Sequence, residues 1–117
     1  MVVGTGRVVL SLETRSLKGK RSVVRKVIER TAHRFNVSIA EVASMDSHHR
    51  AEIGFAVVSN DGRHADSMVS GILAFIEDLG VAPVVEQHSE RVHVGTMQGA
   101  DLGAGTMKGW ADFGDES

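Results

Sequence analysis

Apolar residues recur along the chain with two different periods, and the changes of period mark its elements. Over residues 2 to 13, Val8, Leu10 and Leu12 alternate with Arg7, Val9, Ser11 and Glu13, the period of two expected of a strand with unequal faces. Residues 17 to 35 change to steps of three and four: Val24, Ile28, Thr31 and Phe35, flanked by Val23, Val27 and Ala32, make one apolar helical face. Ser16 is placed to cap that helix and Asn36 to stop it. A second strand opens at Val37 and Ile39. Val42 falls on the opposite phase, so a bulge near Ala40 or Glu41 is required if all three are to point inward.

Ser44 to His49 is polar and reads as the turn of a hairpin into a third strand over 50 to 59, where Ala51, Ile53, Phe55 and Val57 share a face. Asn60, Asp61 and Gly62 end it and begin a second helix with Ala65, Val69, Ile72, Ile76 and Leu79 as its inward stripe. Gly80 caps that helix and Pro83 prevents its continuation. Residues 84 to 94 form a last, more polar strand, the character of a sheet edge. The order βαββαβ predicts an α+β, ferredoxin-like domain over 1–94, a four-stranded antiparallel sheet with two helices on one face. The other face, presenting Val9, Ser11, Gly54, Ala56 and Val58, is left open, and its small side chains suit a homodimer through that face. Residues 95–117 hold six of the thirteen glycines with no periodicity and read as a Gly-rich, acidic, flexible tail; Trp110 and Phe113 within it form a candidate docking motif.

Composition narrows the function classes. The 117 residues include no Cys, which removes disulfides, thiol nucleophiles and thiolate metal sites and suits a reducing, cytoplasmic setting. The longest apolar run, Ile72 to Ile76, is far short of a membrane span, and no basic segment leads into an apolar one at the start of the chain. The six His residues lack ligand spacing: His48 and His49 are adjacent in a turn, and His88 and His93 fall on opposite faces of a strand. No nucleophile elbow occurs, and Gly4 and Gly6 precede more strand instead of a helix. The reading is a non-enzymatic protein without metal or cofactor.

Charge gives the one sharp polar feature. The formal net charge of −2 conceals ten Lys/Arg against four Asp/Glu in residues 1 to 50, and three against eleven in the remainder. Residues 15 to 34 alone carry eight cations against Glu29. Lys18, Lys20 and Arg21 lie at the start of a helix, where free backbone N–H groups already favour an anion and cations oppose the dipole. Lys26, Arg30 and Arg34 follow at four-residue steps on the side away from the core. The candidate phosphate contacts are Arg15, Lys18, Lys20, Arg21, Arg25 and Lys26.

Three blocks of residues, in order, carry a resemblance: Ser16-Leu17-Lys18-x-Lys20-Arg21-Ser22-Val23-Val24-Arg25; Arg34-Phe35-Asn36-Val37-Ser38-x-Ala40-Glu41-Val42; and Asp46, Arg50-Ala51 with Val58-Ser59-Asn60-Asp61. Over residues 1 to 94 the chain resembles the YlxP family of small bacterial proteins, a family without an established biochemical activity. The resemblance implies a ferredoxin-like fold. It also implies a role near ribosomal RNA, because genes of the family commonly lie beside those for a transcription elongation factor, a translation initiation factor and a ribosome-binding factor. His48 and His49 depart from the aromatic-Gln pair that members often carry there, and the segment after residue 94 exceeds the usual family length. The leading expectation is an RNA- or ribosome-associated protein that binds phosphate backbone through its first helix, acting in ribosome maturation or translation, with ribosomal RNA or a ribosomal subunit as partner. The alternative is a homo-oligomeric regulatory or adaptor protein that meets an acidic protein partner through the same helix.

Overall fold

The computed structural model describes residues 1–95, and the expectations for the glycine-rich segment, Trp110 and Phe113 included, lie outside the described residues. Strand β1 spans Val2–Ser11, helix α1 Leu17–Arg34, β2 Ser38–Ala43, β3 Arg50–Ser59, α2 Gly62–Leu79 and β4 Val84–His93. The strands form one antiparallel sheet in the order β2-β3-β1-β4, with the helices against one face, which is the ferredoxin-like arrangement.

Both helices begin and end as their terminal residues dictate. The Ser16 hydroxyl accepts from the Gly19 N–H at 3.0 Å, and the Asp61 carboxylate accepts from the Arg63 N–H at 3.1 Å. Phe35 closes α1 by donating its N–H to the Thr31 carbonyl, while Gly80 closes α2 at φ 63°, a left-handed conformation that costs glycine little. No helix of the described residues is long and apolar enough to cross a membrane.

The core lies between sheet and helices. Val8, Leu10, Ile53, Phe55 and Val57 from the sheet meet Val24 and Val27 of α1 and Val69, Ile72 and Ile76 of α2. Gly4 and Gly6 lie on this inward face for lack of space: a Cβ on Gly6 would stand 2.2 Å from Phe55 Cζ, its cross-strand neighbour. The aromatic ring thus covers the bare backbone where two strands and a helix meet.

Strand β2 carries a correction. A register shift does occur, between Glu41 and Ala43, but it leaves Val42 on the open face of the sheet, 51% exposed, against Gly54. Ile39 and Glu41 take the inward phase instead. Unbroken alternation from Ile39 turns Glu41 in and Val42 out, and the slip comes too late along the strand to reverse either.

Candidate nucleic-acid interface

Helix α1 presents its charge on the side away from the sheet. Val24, Val27 and Thr31 bury one stripe, and around the helix from it Lys18, Arg21 and Arg25 recur at steps of three and four. Arg15, Lys18, Arg21, Arg25 and Lys26 are all exposed, and among the described residues none has a carboxylate within ion-pair distance. The three arginines of the strands behave differently. Arg7 pairs with Glu52 at 2.7 Å, Arg50 with Glu52 at 3.3 Å and Arg91 with Asp66 at 3.3 Å. No acidic residue lies in the first turn of α1, so its cations face the positive end of the helix dipole uncompensated.

Lys20 leaves the set of phosphate contacts. It is 1% exposed, and its ammonium lies 2.8 Å from Glu41 Oε2 while donating to the backbone carbonyl of Ser44. The cause is helical phase: residues 20, 24, 27 and 31 form one stripe, and the first of them is a lysine. Its alkyl stem packs with the core residues beneath it and its charge reaches the inward-turned Glu41. A buried lysine tied to a carboxylate has no freedom to meet a polyanion.

Arg30 and Arg34 remain exposed, and Arg34 turns toward the second helix. The Arg34 guanidinium lies 5.8 Å from the centroid of the Phe35 ring and 6.0 Å from that of Phe75, and these two rings meet edge to face at 5.3 Å. Arg34 therefore covers the end of the core.

The loop between β2 and β3 is fastened beside the start of α1. Thr14 donates its hydroxyl to the His48 carbonyl at 2.6 Å, and the Leu12 N–H donates to the His49 carbonyl at 2.9 Å. Ser47 accepts from the N–H groups of His49 and Arg50. The start of the first block, the end of the second and Arg50-Ala51 of the third thus meet at one end of the sheet, whereas Arg34–Val37 and Val58–Asp61 lie at the other. Among the described residues no three His, Cys, Asp or Glu side chains cluster closely enough to hold a metal ion.

Glu52 is the hub of a charge network that no motif announced. It accepts from the Ser44 hydroxyl at 2.6 Å and pairs with Arg7 and Arg50, and both arginines reach on to Glu86 of β4 at 3.6 and 4.0 Å. The Ser44 hydrogen bond is the main reason the Glu52 carboxyl titrates below its ordinary value; partial desolvation opposes the shift, and Arg50 and Arg7 reinforce it. Val9 lies between Glu52 and Glu86 in the register, and with the ion pairs bridging over it is 1% exposed although it belongs to the open face. Strand alternation put Arg7 and Glu52 on that face; their cross-strand neighbourhood depends on a register that one strand alone does not carry.

Fold and charge distribution together define a small ferredoxin-like α+β protein with a basic first helix. Residues 3–89 match the model of a family described as "Protein of unknown function (DUF503)", and the chain belongs to that family. It is 37% identical over 62 residues to the protein of Bacillus subtilis (strain 168) named "Uncharacterized protein YlxP", a match that covers 53% of this chain and 67% of the relative. Among solved structures, a de novo designed protein with a ferredoxin fold aligns with a TM-score of 0.49 at 16% identity, over 83% of this chain and 90% of the other. A dimeric ferredoxin-like protein of unknown function from Thermobifida fusca aligns with a TM-score of 0.36 at 10% identity, over 79% and 92%.

Proposed function

We propose that this protein is a non-enzymatic RNA-binding protein of the cytoplasm that meets ribosomal RNA through Arg15, Lys18, Arg21, Arg25 and Lys26. The observation that carries the reading is the contrast in pairing: the strand arginines are ion-paired, whereas the exposed cations at the start of α1 face solvent without a carboxylate among the described residues. Each unpaired cation near the helix N-terminus costs a few tenths of a kcal/mol, about 0.3 at the least, and an anionic partner removes that cost. A convex helix offering point charges, with neither Tyr nor Trp among the described residues, suits contact with backbone phosphates better than stacking on bases.

Co-sedimentation of the full chain with purified ribosomal subunits at low and high salt tests this, beside the double variant Lys18→Glu/Arg21→Glu. Salt-sensitive binding that the variant loses supports the reading. Absence of binding at any salt overturns it, and binding that the variant retains moves the interface off α1.

A further inference from the structure

No element among the described residues covers the open face of the sheet, and its relief is uneven. A shallow trough of about 530 Å³ runs across it, floored by Thr5, Gly54, Ala56 and Ala40. Valines stand at its margins. Val42 rises beside Gly54 on one side; Val58, 64% exposed, forms with Val3 and Val92 a row across three neighbouring strands at one end. Ridges of valine beside a floor of glycine and alanine are shapes that fit one another when a surface meets its own copy.

Charge and area point the same way. The face carries Arg7 and Arg50 with Glu52, Glu86 and Glu90, a mixture of signs close to balance, so it repels neither itself nor a like surface and offers a polyanion nothing. Three of the four strands are ten residues long. At about 3.3 Å per residue and about 4.8 Å between strands, the footprint is roughly 600 Å² per copy. Two copies then bury about 1,200 Å², the lower bound for a stable specific interface.

We infer that a second copy of this chain covers the open face, sheet against sheet, with the exposed valines of each copy seated in the small-residue trough of the other. The helices lie on the opposite face of each sheet, so both basic α1 surfaces point outward from such a dimer. The inference is independent of what α1 binds.

The absence of cysteine makes the test clean, since any introduced thiol is the sole one. The full chain is measured by light scattering coupled to size exclusion, and the single variants Ala56→Cys and Ala32→Cys are reacted with a thiol label in parallel, Ala32 being an exposed position on α1. The expected results are the mass of a dimer, an Ala56→Cys thiol shielded from the label, and an Ala32→Cys thiol that labels freely. The variant Val58→Asp, exposed enough to leave the monomer's circular dichroism unchanged, is expected to elute as a monomer. A monomeric wild type overturns the inference, as does a dimer that Val58→Asp leaves intact and in which the Ala56→Cys thiol labels freely. A monomer whose Ala56→Cys thiol resists labelling overturns it too, in favour of residues 96–117 covering the face.

Discussion

Lys20 Nζ and Glu41 Oε2 stand 2.8 Å apart, and through them the first turn of α1 is tied to edge strand β2 beneath it. The same ammonium donates to the Ser44 carbonyl, whose residue is held at φ 62° and sends its hydroxyl to Glu52. A helix, a hairpin loop and the open face of the sheet are thus joined by one run of polar contacts from Lys20 to Glu86. The chain spends its buried lysine on building this end of the domain, and the exposed cations around it have no carboxylate within ion-pair distance among the described residues.

Lys20→Ala strands Glu41 in a partly covered position and leaves the Ser44 carbonyl without its donor, so the loss is larger than that of a surface ion pair. Removing one partner of a buried pair costs about 3 kcal/mol. The double variant Lys20→Met/Glu41→Leu, which removes both charges and keeps the volume, is expected to recover most of that. Urea denaturation of the three proteins checks both, and a Lys20→Ala variant as stable as the wild type would show that the pair contributes nothing.

Glu52 makes stability depend on pH in a stated direction. Its folded pKa lies below its unfolded value, so the carboxylate's contribution is fully present above the ordinary glutamate range and is lost as pH falls through the folded pKa. Ser44→Ala removes the largest cause of the depression. Denaturation midpoints measured from pH 7 down to pH 3 are expected to fall less steeply for Ser44→Ala and Glu52→Gln than for the wild type; parallel curves for all three contradict this.

Two glycines at which an added Cβ would clash are expected to differ when mutated. In Gly6→Ala the methyl meets the Phe55 ring, packed in the core, and overpacking there costs about 2 kcal/mol. In Gly62→Ala the obstacle is the Arg91 guanidinium, at the far end of a flexible, solvent-facing side chain that swings aside, for a change within about 0.5 kcal/mol. Thermal unfolding of the two variants separates them.

How much of this was legible in the chain depends on whether the deciding contacts are local. Periodicity placed the six elements and capping residues bounded the helices, because both act within a few residues. Lys18, Arg21, Arg25 and Lys26 are exposed, as a helix with one apolar stripe requires, and Arg15 is exposed just ahead of the cap. Lys20 stands four residues before Val24 and seven before Val27, so its helical phase puts it in the buried stripe while its charge alone points to the surface, and phase decides. Val42 turned outward because the bulge sits one residue later than the inward pattern demanded. The Glu52 network could not be read at all, since it joins β1, β3, β4 and a loop through pairings that only the assembled sheet defines.

The most direct test of the α1 interface is the salt dependence of binding to a single-stranded ribosomal RNA fragment, for the wild type and for Lys18→Ala/Arg21→Ala/Arg25→Ala. Each phosphate contact contributes about 0.7 to the slope of log K against log salt on a single strand, so removing three is expected to lower its magnitude by about 2. A triple variant with the wild-type slope and affinity would contradict the assignment of α1 as the surface that meets RNA.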